Sequence, residues 1–572
     1  MGKFGMKSIP TAIAVIMLVV LVLSACSGNK NNESNEGASV SPSQAASQSP
    51  AASGTSDASA APTLPYDPPV TITDYVCDPG AVFPDGESST DNVHTRWAKN
   101  ELGIEIKPLW IAPSADGACE NKMRLDLASG AKLADVIGSF NYSFLGDFIA
   151  SGQFQPIDEA FNQYASDLFK QGYESHPDIW ANGKIDGQQM ILPFLQTAYQ
   201  NDPVLWIRTD WMDKLGLQPP KTMSELVSMM ETIKNSDPDG NGKNDTIPLA
   251  LALKEDYFNM MGDAQWVLGN NGALSGYGHP QSVWLEKDGQ LVNADLQPEI
   301  KQGLSVLKDW IDKGYVEQDA AMKNTFDAGQ LFTSGQAFMI PAAYWVPRWP
   351  FSSDFTDKNA VYQAFPLPTA DDGKAMHLQS PMLGAGMIVN KDFKRLDALF
   401  AYINRIWEYT DPKPGSEFEY GFADGYDYKK NSDGTVTYDF EPKYEPITWG
   451  LASKPQLPDT ELKFYYDYLN NNVQPSNNLE KGWAEDKVVL QAGAAAYAQR
   501  DSAIANAYKG PDTPTMKEKG AVLQKIVMDA YTKILYGKEP IESWDAMVEQ
   551  YNKQGGEQLA KEVNEWYALN GK

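Results

Sequence analysis

Strand-like and helix-like segments alternate along this chain from about residue 70 onward. "PVTITDYV" alternates apolar and polar residues as a half-buried strand does, and "LADVIGSF" is a short apolar run. Between them, "NVHTRWAKNELG" and "ENKMRLDLASG" carry apolar residues at helical spacing, and each ends at a glycine. This βαβ rhythm predicts a parallel or mixed sheet with helices packed against it, which is the α/β class.

The same alternation continues beyond residue 200. "PVLWIRTDWMDKLGL" is a strand leading into a helix, and "LGAGMIVNKDFKRLDALFAYINRIWE" pairs an apolar strand with another helix. The last part of the chain, which includes "MKEKGAVLQKIVMDAYTKILYG", is predicted to be mostly helical. Roughly 500 residues are too many for one hydrophobic core, so two lobes are expected.

The N-terminus carries the features of an export signal. Lys3 and Lys7 precede the apolar run 12–23, which is too short to span a bilayer because a transmembrane helix needs roughly 20 residues. The run closes on Leu23-Ser24-Ala25-Cys26, which resembles the lipobox of bacterial lipoproteins. We therefore expect residues 1–25 to be a signal peptide and Cys26 to carry a lipid; an ordinary signal peptide that ends in cysteine is the alternative.

Residues 26–65 are rich in Ser, Ala, Asn and Pro and almost lack large apolar side chains. Such a segment cannot bury enough surface to offset its ordering entropy. As a flexible tether of about 40 residues it would span roughly 35 Å between its ends. The folded body is expected over residues 66–572, with both lobes formed from discontinuous segments.

Charge and cysteine content narrow the partners. A net charge of −28 argues against nucleic acid as a partner. Besides Cys26 the chain has two cysteines, Cys77 and Cys119. In an exported protein these two could form a disulfide, and the alternative is a pair of buried free thiols.

The stretch "DPDGNGKND", residues 237–245, concentrates oxygen-bearing side chains around two glycines. Aligned with an EF-hand-type loop, it has Gly242 at the sharp turn, while Pro248 stands where the usual bidentate glutamate would be. The alternative is a plain turn that ends a helix. We predict a structural Ca²⁺ site whose ligands are Asp237, Asp239, Asn241, the carbonyl of Lys243, and Asp245.

Several motifs together resemble a known family. The lipobox, the tether, "DGQQMILPF", "LWIRTDWMDKLGL", "DPDGNGKND", "SGQAFMIP" and "SWDAMVEQYNKQGG" occur in the order seen in extracellular solute-binding lipoproteins of carbohydrate importers, including calcium-containing alginate-oligosaccharide binders. The resemblance implies a two-lobed periplasmic-binding-protein-like fold of type II, with a hinge, a central cleft and a helical C-terminal region. It also implies an oligosaccharide ligand and the permease subunits of an ATP-driven (ABC) importer as partners. The family's calcium loop often has a carboxylate after position 9, where this chain has Thr246.

A sugar site combines aromatic platforms with polar side chains, because pyranose rings have apolar C–H faces and many hydroxyls. "AAYWVPRWP" follows a predicted strand, and strand ends face the crevice in open α/β sheets. The alternative is that these aromatics pack a seam between the lobes. The candidate ligand-binding residues are Phe140, Asn141, Gln196, Tyr199, Trp266, Asn270, Tyr344, Trp345, Arg348, Trp349 and Trp449.

Two other functions fit the composition. A secreted glycoside hydrolase would need a carboxylate pair about 5 to 9.5 Å apart, and an adhesive cell-surface lipoprotein would need no cleft. The sequence has no nucleophile elbow, Walker loop, HExxH or CxxC motif, and its four histidines are expected in surface or satisfied loop positions. We therefore expect a non-enzymatic, monomeric receptor, held by its lipid on the outer face of the cell membrane.

Overall fold

The computed structural model places every strand and helix described below within the unit Ala61–Lys572. The predicted signal peptide, Cys26, most of the predicted tether and Trp449 lie outside the described residues. In the part that is described, no helix is both long and apolar enough to cross a membrane. The described residues are 63–78, 83, 86–114, 117–254, 260–275, 282–437 and 455–570.

Strands and helices alternate through most of this unit. The strands are β1 (Val70–Asp78), β2 (Ile104–Pro113), β3 (Val136–Ser139), β4 (Phe154–Gln155), β5 (Lys184–Ile185), β6 (Gln188–Gln189), β7 (Leu192–Leu195), β8 (Val204–Arg208), β9 (Ile247–Leu249), β10 (Trp284–Lys287), β11 (Gln290–Asn293), β12 (Ala337–Ala342), β13 (Tyr362–Phe365), β14 (His377–Leu378), β15 (Leu383–Asn390), β16 (Lys429–Lys430), β17 (Val436–Thr437) and β18 (Ala503–Ile504).

The α-helices are α1 (Val93–Trp97), α2 (Ala118–Ser129), α3 (Tyr142–Ala150), α4 (Asp158–Tyr164), α5 (Asp167–Glu174), α6 (Pro177–Ala181), α7 (Thr209–Lys214), α8 (Met223–Lys234), α9 (Gln265–Asn270), α10 (Ile300–Asp312), α11 (Thr325–Thr333), α12 (Phe351–Asp354), α13 (Leu396–Trp407), α14 (Glu461–Asn470), α15 (Asn478–Glu485), α16 (Lys487–Ala498), α17 (Pro514–Leu535), α18 (Ser543–Tyr551) and α19 (Glu557–Asn570). Short π-helices span Ala98–Leu102 and Asn552–Gly556, and short 3-10 helices span Ala294–Leu296, Ala320–Met322, Glu408–Thr410 and Arg500–Ser502.

The first sheet belongs to lobe 1, formed by the described residues of 63–195 and 383–437. Its order is β3-β15-β4, and β7 also pairs with β15. All three partners run antiparallel to β15, which is therefore the central strand. β1 and β2 form a separate parallel pair. Helices α3, α4, α5 and α13 bury apolar side chains in the cores of this lobe.

The second sheet belongs to lobe 2, formed by the described residues of 204–378 and 461–570. Its order is β13-β8-β12-β9. Every residue of β8 and β12 is buried, as expected for apolar strands covered on both faces. The C-terminal helices α17, α18 and α19 pack into one of its cores, and α14 and α16 pack into the other. The prediction of a helical C-terminal region is confirmed.

The chain passes between the lobes along three crossing segments, whose described residues are 196–203, 379–382 and 455–460. The backbone N–H of Gln196 donates to the carbonyl of Met382 at 2.8 Å, and that of Ala198 donates to the carbonyl of Pro458 at 2.9 Å. The three segments are therefore hydrogen-bonded side by side, and they form the hinge expected of a two-lobed fold.

A disulfide joins Cys77, near the end of β1, to Cys119 in α2, with their Cα atoms 5.5 Å apart. The bond closes a loop with a sequence separation of 42 residues. Since such a cross-link restricts the unfolded chain, we expect the double substitution Cys77→Ser, Cys119→Ser to lower the free energy of unfolding by about 2 to 4 kcal/mol. Urea unfolding followed by circular dichroism measures the loss. Dithiothreitol should produce the same loss in the parent protein and none in the double variant.

Two of the four histidines are buried, so the expectation of surface or loop positions is wrong for them. His94 lies in lobe 1, where its Nε2 is 2.8 Å from the Tyr402 hydroxyl. Burial lowers the pKa of His94 to about 3, so the imidazole is neutral at physiological pH. His377 lies beside the hinge and is described below.

Candidate functional site

The edge of the lobe 2 sheet meets the hinge where β8 begins and β12 ends. Val204, the first residue of β8, pairs with Ala342, the last residue of β12. The turn that follows β12 therefore starts beside the crossing segment 196–203. In that turn, the Trp345 indole N–H donates to the carbonyl of Gln200 and to Oδ1 of Asn201, each at 3.1 Å. Trp345 thus lies against the hinge, and its role as a ligand contact stays a prediction.

Three aromatic rings extend outward from this point. The rings of Trp345 and Trp349 are stacked, with centroids 6.4 Å apart and an interplanar angle of 9°. Phe326, from the first turn of α11, meets Trp349 edge-on at 5.7 Å. Trp349 and Phe326 are each 50 % exposed. We call Trp345, Trp349 and Phe326 the aromatic ladder, and its free ring faces are suitable for stacking on sugar rings.

Sequence reasoning missed Phe326. It is an isolated aromatic at the start of a helix, where Asn324 caps the chain by accepting from the N–H groups of Phe326 and Asp327. Nothing in the local pattern shows that Trp349, which is distant in sequence, lies beside it.

Tyr344 and Arg348, in the same turn, have structural partners. Tyr344 is buried, and its ring packs edge-on against Tyr465 of α14. Arg348 contacts Asp486 through Nε at 3.1 Å and Glu461 through Nη1 at 3.4 Å, and Nη2 donates to the Tyr465 hydroxyl at 3.2 Å. Tyr344 is therefore nearly inaccessible, whereas Arg348 holds α14 to the start of α16 and keeps a side chain that is 43 % exposed; their roles as ligand contacts stay predictions.

A cavity of about 290 Å³ lies at the same edge of lobe 2. Its lining includes Trp266 and Asn270 of α9, Leu367 after β13, His377 of β14, and Gln499 and Ser502 after α16. The volume is near the lower limit for small-molecule pockets, about 300 Å³. It is suitable for one sugar ring of a longer ligand.

Trp266 and Asn270 shape this cavity from within the protein. The Trp266 side chain is buried, and its indole N–H donates to the carbonyl of Asp263 at 3.0 Å. Asn270 donates from Nδ2 to the carbonyl of Pro368 at 2.7 Å, and its Oδ1 accepts from the N–H of Met376 at 3.1 Å. Both are predicted ligand contacts, but the structure uses their polar groups to hold the cavity wall.

A buried hydrogen-bond network ties the hinge to that wall. Oδ1 of Asp202 accepts from the backbone N–H and the hydroxyl of Ser380, each at 2.7 Å, and Oδ2 is 2.9 Å from Nε2 of His377. Nδ1 of His377 is 3.2 Å from the hydroxyl of Ser502. We call Asp202, His377, Ser380 and Ser502 the hinge network. The network joins two crossing segments to lobe 2. The sequence did not predict it, because its members are far apart in the chain.

The predicted residues Gln196 and Tyr199 both lie on the first crossing segment. Tyr199 has a φ of +60°, in the left-handed region that non-glycine residues rarely adopt. Its ring meets that of Tyr497 at 6.2 Å, and the Arg500 guanidinium lies 4.6 Å from the Tyr497 ring centroid. A strained residue at a hinge is a recurrent sign of function, since the surrounding structure must hold it in place.

Lobe 1 contributes Phe140 and Asn141, which follow β3 as predicted. Phe140 is 68 % exposed, and its ring approaches Phe194 at 5.8 Å. Oδ1 of Asn141 accepts from the N–H of Phe144 at 3.0 Å and caps α3. Phe140 therefore offers a free ring, whereas the Asn141 side-chain oxygen already has a structural partner.

The acidic loop 237–245 is folded around Asn241. The Asn241 Nδ2 lies 2.8 Å from Oδ2 of Asp239 and 2.9 Å from Oδ1 of Asp245, and its backbone N–H donates to Oδ1 of Asp237 at 3.0 Å. The Lys243 N–H donates to Oδ1 of Asn241 at 2.8 Å. Three carboxylates thus converge on one residue.

The surroundings of the loop suit an oxygen-liganded cation. Gly240 and Gly242 have φ of +75° and +84°, which permits the sharp turn. The neighbouring Thr246 is buried, and its hydroxyl has no hydrogen-bond partner among the described residues. The described residues contain no group of three or more His, Cys, Asp or Glu side chains arranged to hold a metal ion. The calcium ligand set therefore stays a prediction.

Known proteins resemble this chain in sequence and in fold. The polygalacturonan/rhamnogalacturonan-binding protein YtcQ of Bacillus subtilis is 24 % identical over 473 residues, covering 81 % of this chain and 85 % of that protein. The crystal structure of the alginate-binding protein AlgQ2 without calcium ion has a TM-score of 0.60 at 16 % identity, covering 88 % of this chain and 99 % of that one.

The S. pneumoniae ABC-transporter substrate binding protein FusA in complex with kestose also has a TM-score of 0.60 at 16 % identity, covering 87 % of this chain and 99 % of that one. These likenesses confirm the predicted two-lobed fold. The sequence pattern of the family described as "Bacterial extracellular solute-binding protein" matches residues 80–404. Because that match spans more than half of the sequence, the chain belongs to the bacterial extracellular solute-binding protein family.

Proposed function

We propose that the protein is a receptor that captures an oligosaccharide in the cleft between its lobes and delivers it, unchanged, to an ABC permease. The observation that carries the proposal is the aromatic ladder beside the hinge, with two half-exposed rings at the cleft edge of the lobe 2 sheet. Sugar rings stack on such platforms through their C–H faces. Phe140, exposed after β3, supplies a ring from lobe 1.

Closure of the two lobes would make the binding selective. A ligand shifts an open–closed equilibrium only by its difference in affinity for the two states. A sugar that touches the ladder and Phe140 together gains contacts that one lobe alone cannot offer. The hinge network and the hydrogen bonds between the crossing segments provide a defined axis for that motion.

The named ligands of the relatives support a saccharide but leave its charge open. YtcQ is named for polygalacturonan and rhamnogalacturonan, which are acidic, whereas FusA is described in complex with kestose, which is uncharged. FusA is also described as an ABC-transporter substrate binding protein, which supports a permease partner. Lipid attachment at Cys26, anchorage at the outer face of the membrane and a monomeric state complete the proposal.

A glycan screen tests this function. We expect at least one oligosaccharide to raise the melting temperature, because a ligand at 100 times its Kd stabilises the native state by about 2.7 kcal/mol. Trp349→Ala should weaken binding of that ligand about tenfold by titration calorimetry, since it removes one stacking face. Leu569→Ala, which truncates an exposed side chain of α19, is the matched control and should bind as the parent does.

Two results of that screen would contradict the proposal. One is a melting temperature that no glycan changes. The other is release of reducing sugar at enzymatic rates, which would favour the glycoside hydrolase considered above. The family description is that of a binding protein, which supports capture over hydrolysis.

We further propose that the 237–245 loop binds a structural Ca²⁺ through Asp237, Asp239, Asn241, the Lys243 carbonyl and Asp245. Partial burial and the neighbouring Asp237 and Asp245 charges raise the pKa of Asp239, which shows the crowding that a cation would relieve. Bound calcium would supply positive charge that pins the loop between α8 and β9.

Calorimetric titration of chelator-treated protein with Ca²⁺ tests the site. We expect binding heat, together with a melting temperature that rises with calcium concentration. Asp239→Asn should raise the Kd for Ca²⁺ at least about tenfold, because it removes one formal charge from the ligand set. The melting temperature of this variant should accordingly rise only at higher calcium concentrations. Asp433→Asn, in the exposed turn between β16 and β17, is the control. Absence of heat and of any melting shift in the parent protein would reject the site.

A further inference from the structure

We infer that the cleft selects an uncharged oligosaccharide and discriminates against one that carries carboxylates. The inference rests on the proposed function and specifies its ligand class. It comes from the charges next to the aromatic ladder, the cavity and Phe140, because a carboxylate taken out of water needs a cation or several hydrogen-bond donors.

The cation nearest to the ladder in sequence is already neutralised. Arg348 directly precedes Trp349, and its guanidinium contacts Asp486 at 3.1 Å and Glu461 at 3.4 Å. A third contact goes to the Tyr465 hydroxyl at 3.2 Å. One positive charge therefore meets two negative charges beside the ladder. A ligand carboxylate would have to compete with both acids for the guanidinium.

The cavity next to the hinge likewise has no surplus of positive charge among its described lining residues. Among its described lining residues, Asp501 is the only aspartate or glutamate, and neither lysine nor arginine is present. The Asp501 side chain is 89 % exposed, and its Oδ1 lies 3.8 Å from Nε of Arg500. The Arg500 guanidinium has further partners, since Nη1 donates to the carbonyl of Tyr497 at 3.0 Å and the group lies 4.6 Å from the Tyr497 ring centroid. The other ionisable lining residue, His377, faces the Asp202 carboxylate.

Among the described residues, the charged side chains of α2 and α3, the helices before and after Phe140 in the chain, show no excess of positive charge. Ser139, the preceding residue, donates to Oε1 of Glu120 at 3.2 Å. Arg124 of α2 and, from lobe 2, Lys517 of α17 approach Asp147 of α3 at 3.5 and 3.6 Å. These two cations therefore stand against two carboxylates. Exposed charges interact over about 8 Å at physiological ionic strength, so the local balance acts on a ligand within the cleft.

Hydroxyl groups suit what the described cleft offers. Its walls present the aromatic rings of the ladder and, in the cavity, neutral side chains such as Gln499 and Ser502, whose polar groups also bond within the protein. An uncharged sugar can stack and exchange hydrogen bonds there without bringing a formal charge. An oligosaccharide of uronic acids would place carboxylates opposite Asp501 and the Glu461–Asp486 pair.

The first experiment screens the full chain by calorimetry against two sets of oligosaccharides. One set is neutral (fructo-, manno-, xylo- and galacto-oligosaccharides), and the other contains uronic acids (oligogalacturonates and oligoalginates). We expect the tightest ligand to be neutral, with a Kd that changes less than twofold between 50 and 500 mM NaCl, roughly as for an uncharged partner. A uronate as the tightest ligand would overturn this inference and leave the proposed function standing. Binding of neither set would overturn both.

The second experiment isolates charge from shape. The tightest neutral ligand is compared with its C6-oxidised carboxylate and with the methyl ester of that carboxylate. We expect the carboxylate to bind at least about tenfold more weakly than the ester. Asp501→Asn should reduce the ratio of the carboxylate's Kd to the ester's Kd about threefold. The control variant Asp433→Asn should leave this ratio unchanged. Equal binding of ester and carboxylate, or a ratio that Asp501→Asn does not change, contradicts the inference.

Discussion

Replacing Asp202 with alanine is expected to lower the free energy of unfolding by about 4 kcal/mol, the sum for several buried groups left unpaired. The carboxylate accepts from the N–H and hydroxyl of Ser380 and faces Nε2 of His377, and all three residues are buried. Alanine leaves these groups without a partner and without water. Urea unfolding at neutral pH measures the loss of stability.

The same substitution should also loosen the hinge, because the Asp202 carboxylate joins the crossing segment 196–203 to Ser380 on the second crossing segment. Small-angle scattering should show a broader range of lobe separations, and hydrogen exchange should rise in residues 379–382. Ser502→Ala is the comparison variant, since it removes the contact to Nδ1 of His377 and the bond to the carbonyl of Gln499 but leaves the bonds of Asp202 in place. A stability loss below about 1 kcal/mol for Asp202→Ala would mean that the network does not hold the hinge.

Replacing Asp74 with asparagine is expected to remove a pH dependence of stability in lobe 1. Asp74 lies in β1, is 2 % exposed, and has no hydrogen-bond partner on another described residue. Burial raises the pKa of its carboxyl from 3.8 to about 7, because the charged form is poorly solvated. The facing ionisable groups are Tyr402 and, hydrogen-bonded to it, His94, which is neutral.

The sign of the effect follows from the raised pKa. The folded chain retains this proton where the unfolded chain has lost it, so stability from Asp74 is complete below about pH 3.8 and is lost as pH rises to about 7. The slope is about 1.4 kcal/mol per pH unit, which amounts to roughly 4 kcal/mol across that window. Asp74→Asn should be the more stable protein at pH 8, with the advantage vanishing towards pH 4. Asp288→Asn, in the exposed turn between β10 and β11, is the control for loss of a surface charge. If the free energy of unfolding of Asp74→Asn and of the parent changed identically with pH, the burial of Asp74 would not cause the pH dependence.

Local sequence patterns were enough to predict individual strands and helices. Apolar runs such as β8 and β12 are strands because β-branched and aromatic residues favour extended backbone. The Thr222 hydroxyl accepts from the N–H of Glu225 and caps the start of α8, as a threonine three residues before a glutamate favours. The pairing of β15 with β3 and β7 could not be predicted from the sequence, because no local pattern specifies a partner strand far away in the chain.

The candidate site was predictable in location but less so in detail. "AAYWVPRWP" follows a strand at the cleft edge, as its position indicates, yet Tyr344 points into the core while Trp349 is exposed. The segment is a turn without helical or strand periodicity, so spacing cannot separate inward from outward side chains. The partners of Arg348 come from α14 and the start of α16, which only the tertiary fold brings close.

The central position of β15 has a consequence for biogenesis. Its partners β3, β4 and β7 are synthesised first, but they pair with a strand that emerges only after the sheet strands of lobe 2. The strands of lobe 1 therefore cannot complete their sheet until residue 390 has been synthesised, whereas lobe 2 already has all four strands of its β13-β8-β12-β9 sheet before residue 383. Until residue 390 emerges, β3, β4 and β7 lack the strand with which all three pair, so a nascent chain exposes unpaired strand edges in lobe 1.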